Sequence, residues 1–248
     1  MTYCLALRLD EGLVFLADTR TNAGIDNVGT YRKLHVLRPA TDRVFIIESA
    51  GNLATTQEVL DRMDRDLRTP GDHESLLTVN HLFEAALYLG RVSQSVVQDH
   101  RNGLAASGAD ATATFILGGE IFPEPPDILL VYPEGNYIRA SDDAPFLQIG
   151  ESKYGKYLLD VAVTAQTDLA TATKIALGSM MSTARSNVGV GPPYDGAALR
   201  SDGSLQLSEF RVEADSPTLE QLHEMWERHM RNAVDELPSV MPAEIDLA

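Results

Sequence analysis

The sequence predicts an α+β fold, and three observations carry that reading. Stretches of strand character come in pairs joined by tight turns. Long stretches with a helical apolar stripe fall between those hairpins, and no repeat or linker divides the 248 residues. Helices kept apart from antiparallel strands define this class. The order reads as four strands, two helices, four strands, two helices, two strands and a helix, a single domain over residues 1–248.

Tyr3 to Leu9 alternates and branches as a strand does, Asp10-Glu11-Gly12 reads as a turn, and Leu13 to Ala17 as the returning strand. Thr21 to Thr30, rich in Gly and Asn, predicts a loop. Leu34 to Arg38 and Arg43 to Glu48 form a second hairpin around Pro39-Ala40-Thr41-Asp42. From Leu53 to Leu67, the residues Leu53, Leu60, Met63 and Leu67 share one helical face, and Thr69-Pro70-Gly71-Asp72 breaks the run. A second helix is expected from about Ser75 to Arg101, striped by Leu76, Leu82, Phe83, Ala86, Leu89 and Val96 and ended by Asn102-Gly103.

Strands are expected over Ala111–Leu117, Ile128–Tyr132, Tyr137–Ser141 and Phe146–Ile149, with a hairpin turn at Pro133-Glu134-Gly135-Asn136. The three prolines of residues 120–127 stiffen a connecting loop. Lys153 to Val163 reads as a short helix, and Asp168 caps a longer one to about Ser186. After the Gly/Pro loop of Asn187 to Pro193, a last hairpin joins Asp195–Arg200 to Leu205–Val212. Ser216-Pro217 opens a final helix to about Leu237, with Pro at its first position and a short acidic tail beyond.

Composition narrows the function classes. A net charge of −16 and the lack of Lys/Arg clusters argue against nucleic-acid binding. Hydrophobic residues make up 44%, enough for a sizeable core. A lone cysteine excludes an intrachain disulfide framework and suits a reducing cytosol. No apolar run reaches the roughly eighteen residues needed to span a bilayer, and Arg8, Asp10 and Glu11 interrupt any signal-peptide core. The expectation is a cytoplasmic protein without metal or cofactor.

The chain start holds the chemistry. The first hairpin brings Met1-Thr2-Tyr3-Cys4, Asp18 at a strand end and Lys33 just before a strand into one neighbourhood. Once Met1 is removed, Thr2 carries a hydroxyl and a free amine on one residue, the minimal kit of an N-terminal nucleophile hydrolase. An α-amine with an ordinary pKa of about 7.7 to 8.0 is a base near neutral pH. A nearby ammonium from Lys33 lowers that pKa further, and Asp18 fixes the Lys33 charge.

Thr2, Ala17-Asp18-Thr19-Arg20, Lys33 and Ser49-Ala50-Gly51-Asn52 stand in the order and spacing of proteasome β-type subunits. The run from Met1 to Gly24, and Gly150-Glu151-Ser152-Lys153-Tyr154-Gly155-Lys156 later, resemble the bacterial proteasome-related Anbu family over nearly the whole chain. The resemblance implies a four-layer αββα sandwich of the N-terminal nucleophile type. It implies Thr2 as nucleophile, Asp18 and Lys33 as its catalytic partners, and the Gly51 N–H as an oxyanion donor. Proteasome β subunits support the N-terminal amine with a Ser in a Gly-rich turn, which falls on Glu151 or Ser152, and with an Asp/Ser pair. The latter falls around Arg185-Ser186-Asn187-Val188-Gly189, where no Asp stands.

Other candidates are weaker. The six histidines lack zinc-protease spacing, Cys4 reads as a packed strand residue, and no Ser sits in G-x-S-x-G. Gly189-Val190-Gly191 follows a helix and lacks the third Gly of a phosphate loop. The expected protein is a self-compartmentalising threonine hydrolase acting on a peptide. Its copies assemble into a closed ring or an open helical array through the Leu53–Leu67 and Leu219–Leu237 stripes; any ATPase partner is left open. Two rivals stand beside it: an amidohydrolase of a small amide, and an inactive ring or scaffold subunit.

Overall fold

The computed structural model describes residues 1–22, 28–69, 71, 73–108 and 110–238. They form two compact units, Met1–Val212 and Glu213–Ala248. The first holds two five-stranded antiparallel sheets. One runs in the order β10 (Phe146–Gly150), β1 (Tyr3–Leu9), β2 (Gly12–Asp18), β11 (Tyr194–Arg200), β12 (Leu207–Val212). The other runs β5 (Leu34–Ala40), β6 (Arg43–Gly51), β7 (Ala113–Ile121), β8 (Asp127–Val131), β9 (Tyr137–Arg139).

Strand alternation builds the layers. Cys4, Ala6, Leu13, Phe15 and Ala17 of the first sheet meet Val44, Ile46, Ala50 and Ile116 of the second in one apolar layer. On the second sheet's other face, Phe45, Ile47, Phe115 and Leu117 pack under α1 (Leu53–Arg68) and α2 (Leu82–Ser107). The first sheet's other face receives α4 (Leu169–Ser186), which in turn carries α3 (Lys153–Ala162); the Tyr3 hydroxyl meets Ser179 there at 2.7 Å. With both faces covered, β1 and β2 read as almost continuous apolar runs. The result is the helix–sheet–sheet–helix sandwich that the resemblance implied.

Several boundaries move for local reasons. Residues 20–22 and 28–30 form a two-stranded ribbon, β3 (Arg20–Asn22) with β4 (Val28–Thr30), where a loop was expected. Backbone pairing in the register Arg20↔Thr30 to Asn22↔Val28 makes it, which no apolar alternation announces; residues 23–27 of that stretch lie outside the described residues. The helix expected from Ser75 starts at Leu82, because the Ser75 and Thr78 side chains capture backbone N–H groups and hold residues 75–78 in a turn. Glu84 then reaches back to the N–H groups of Asn80 and His81 and fixes the helix start. That helix also runs through Asn102-Gly103; the glycine with φ +66° is Gly108, just past its end.

Asp168 caps α4 through Thr171 N–H as expected, and Asn52 caps α1 through Thr55 N–H. Residues 70 and 72 of the expected break after α1 lie outside the described residues. The α1 stripe turns inward: Met63 is buried, with Leu60 and Leu67 packed against the same core. Leu53, 39% exposed, stays outside that packing. In the second unit, α5 (Pro217–Asp235) starts with Ser216 as N-cap and Pro217 in its first turn, and exposes Met225, Met230 and Val234. The acidic tail, residues 239–248, lies outside the described residues.

One buried group has no partner to match it. Glu48 on β6 is fully buried, and neither carboxylate oxygen has a full hydrogen bond among the described residues. Burial pushes its pKa well above the carboxylate range, tempered only by the nearby Leu16 N–H. The unfolded chain releases this proton near pH 4.5 and the fold retains it, so stability falls as pH rises from there through the folded pKa. Glu48→Met should therefore stabilise the protein by ~1–3 kcal/mol at pH 8, and by less at pH 5. Urea melts at the two pH values check this, and an equal or absent gain contradicts it.

Candidate active site

The chain start is fixed by backbone before any side chain acts. Register Tyr3↔Gly150 seats β1 against β10, and the Thr2 carbonyl accepts the Glu151 N–H at 2.7 Å. Gly150 has φ +82°, and a Cβ there would lie 2.0 Å from the Thr2 oxygen. Only glycine permits that approach.

Pairing of β1 with β2 at Cys4↔Ala17 places Asp18 beside Tyr3, whose N–H donates to Asp18 Oδ1 at 2.9 Å. Lys33 Nζ donates to the same oxygen at 2.6 Å and to Arg20 O at 2.7 Å. Asp18 Oδ2 accepts the N–H groups of Arg20 at 3.2 Å and Gly191 at 3.4 Å. Asp18 is fully buried and Lys33 is 4% exposed. Burial raises the Asp18 pKa, while Lys33 and the N–H groups of Tyr3 and Gly191 pull it down. The Lys33 carbonyl accepts Ser49 N–H at 3.1 Å, which ties its backbone to β6.

A cleft of about 260 Å³ opens at this point, lined by Met1, Thr2, Thr21, Tyr31, Lys33, Ser49, Ala50, Gly51, Leu53 and Thr56. Thr2, Lys33 and Gly51 therefore share one cavity, with Asp18 behind Lys33. Gly51 ends β6 at φ +116°, and a Cβ on it would lie 2.3 Å from Thr112 O. Gly51→Ala should cost at least ~2 kcal/mol in thermal melts, since strain and clash add; a neutral result contradicts this packing.

Cys4 is buried, and burial with Glu48 nearby pushes its thiol pKa up, so it is a packed strand residue and poorly nucleophilic. The Tyr3 hydroxyl, pushed up to about 12 by burial, braces α4.

The two turn candidates separate. Ser152 stands exposed at the N-cap of α3 without a capping bond from its side chain. Glu151 is drawn in: besides its N–H to Thr2, its carboxylate accepts Asn187 Nδ2 at 3.0 Å and Lys153 N–H at 3.2 Å. The loop of residues 187–191, read from sequence as a Gly/Pro loop whose first residues fall where proteasome β subunits carry an Asp/Ser pair, walls the site. Arg20 donates to Val188 O at 2.9 Å, Gly191 N–H reaches Asp18, and Met1 packs on Gly189. No motif marks Tyr31 or Thr56; only a three-dimensional register brings them here.

No protein-family model matches the chain, and no curated protein matches it. Solved structures do. A helical assembly of the Anbu complex from Pseudomonas aeruginosa is 38% identical, with a TM-score of 0.91, covering 99% of this chain and 100% of that one. Anbu, described as an ancestral β-subunit, from Yersinia bercovieri is 37% identical with a TM-score of 0.88, covering 97% and 100%. Anbu from Hyphomicrobium sp. strain MC1 is 39% identical with a TM-score of 0.86, covering 97% and 100%. Identity at this level over full length, on the same sandwich, is more than a shared fold: the chain belongs to the Anbu family of proteasome-like proteins.

Proposed function

We propose that this protein is an N-terminal threonine hydrolase that cleaves peptide amide bonds and works as an assembly of its own copies. The observation that carries the reading is the buried Lys33–Asp18 pair at 2.6 Å, with Lys33 facing the same cleft as Thr2. A buried ammonium is costly, and its charge acts strongly on a neighbouring amine in a site of low dielectric.

With Met1 in place the protein is latent, because the Thr2 nitrogen is a peptide nitrogen and Met1 lines the cleft. After hydrolytic removal of Met1, the Thr2 amine takes the Oγ proton while Oγ attacks the substrate carbonyl. The Gly51 N–H steadies the oxyanion. Collapse expels the leaving amine, which takes that proton and leaves an ester on Oγ. Water then attacks the ester with the amine again as base, releasing the acid and restoring Thr2.

A panel of fluorogenic peptides and small primary amides, assayed on protein whose mass shows Thr2 first, tests this. Turnover in the wild type and none in Thr2→Ala supports it. The class of amide turned over separates peptidase from amidohydrolase, and no turnover of any member favours the scaffold. Assembly is supported by the apolar residues left exposed on α5 and by Tyr154, Tyr157 and Val161 along one face of α3. Light scattering should give a mass several times 27.0 kDa; a monomer at all concentrations contradicts self-association.

A further inference from the structure

A second cavity, of about 490 Å³, lies behind the cleft that Thr2 lines, and Tyr31 belongs to the lining of both. Tyr31 stands between them as a held partition. Its N–H donates to Thr19 O at 2.7 Å, its side chain hydrogen-bonds Gln57, and its ring meets the His35 ring with centroids 6.4 Å apart. Behind it, β5 contributes His35 and Leu37 to the cavity, and α1 contributes Gln57, Leu60, Asp61 and Asp64. Both cavities follow one face of α1. Leu53 and Thr56 line the cleft, and the four deeper residues continue that face at spacings of three and four. From Thr56 to Asp61 the helix rises ~7.5 Å, within reach of an extended Lys or Arg side chain.

The lining selects a cation on an apolar stem. Leu37, Leu60 and the Tyr31 ring are partly buried apolar walls, and the ring face attracts a cation that passes it. The two carboxylates beyond are not equivalent. Asp64 is paired with Arg68 at 2.7 Å, whereas Asp61 is exposed and makes no ion pair among the described residues. Nothing in this lining opposes a positive charge: Lys33, on the cleft side, is held by Asp18, and burial lowers the His35 pKa, so that ring is neutral at pH 7. We propose that this cavity is a specificity pocket for the Lys or Arg side chain of the residue whose carbonyl Thr2 attacks, with Asp61 selecting the charge. This rests on the Thr2 reading and gives it a substrate class, peptides cleaved after a basic residue.

Two peptide epoxyketones that differ only in the residue next to the ketone, Arg or norleucine, test this on protein freed of Met1. The readout is the ratio of their labelling rates at Thr2, followed by mass spectrometry. The Arg reagent should label the wild type about tenfold faster, the combined effect of an ion pair and a cation–π contact. Asp61→Asn should cut that ratio by about threefold, as should high salt in the wild type, and Asp61→Lys should bring it below one. A wild-type ratio near one overturns the proposal, as does a ratio that both Asp61 variants leave unchanged. Calorimetric titration of Thr2→Ala with two short peptide amides, ending in Arg or norleucine, separates this from the parent reading. Tighter binding of the Arg peptide, lost on adding Asp61→Lys, with no epoxyketone adduct on the wild type, upholds the cation pocket and rejects the hydrolase. Adducts that form without any preference for Arg reject the pocket and keep the hydrolase.

Discussion

Lys33→Ala is expected to cut amide hydrolysis by ~10²–10⁴-fold while the protein still folds. Without that ammonium a larger share of the Thr2 amine is protonated at neutral pH, and the charge that favours its neutral, proton-accepting form is gone. The fold tolerates the loss, because Asp18 keeps three N–H donors, from Tyr3, Arg20 and Gly191, and its pKa is already raised, so it can take up a proton. Thr2→Ala should lose at least as much activity, and the double variant little more than Thr2→Ala alone, because the groups act as one unit. Activity within a few-fold of wild type in Lys33→Ala contradicts the assigned role.

Asp18→Ala carries the largest expected effect on stability. It strands the Lys33 ammonium, 4% exposed, with Arg20 O as its remaining bonded acceptor, and unpairs the Tyr3 and Gly191 N–H groups. Breaking a buried ion pair from one side costs ~3–5 kcal/mol, or roughly 10 °C in melting temperature for a chain of this size. The asymmetry with Lys33→Ala is the discriminating feature. Calorimetry showing the two variants equally stable contradicts the donor count given for Asp18.

Much of the sandwich was legible because its periods are strong. β1, β2 and β6 are buried on both faces and read as apolar runs, and Asp168 and Ser216-Pro217 mark helix starts by chemistry that acts within three residues. What was lost depends on partners distant in sequence. β3 and β4 pair as a backbone ladder without an apolar pattern to announce it. Ser75 and Thr78 divert a segment whose apolar stripe looked helical. The α1 stripe reads the same whether it meets its own sheet or another copy; Met63 joins Phe115 and Leu117 in the core, while Leu53 stays exposed. At the site, Thr2, Asp18, Lys33 and Gly51 sit at strand ends, where position in the chain predicts position in space. Asn187 does not, because its partner Glu151 is 36 residues away. Glu48 was read as an ordinary strand end, since a sequence does not show which face of a strand lacks a donor.

In the proposed mechanism the freed Thr2 is the nucleophile. Its most direct measurement is peptide mapping after treatment with a peptide epoxyketone, on protein whose intact mass shows Met1 removed. Oγ adds to the ketone and the α-amine opens the epoxide, so the whole reagent mass is retained. That mass is expected on the Thr2-terminal peptide of the wild type, with slower addition in Lys33→Ala and none in Thr2→Ala. Equal labelling of Thr2→Ala, labelling confined to Cys4, or no labelling of a confirmed free Thr2 contradicts it.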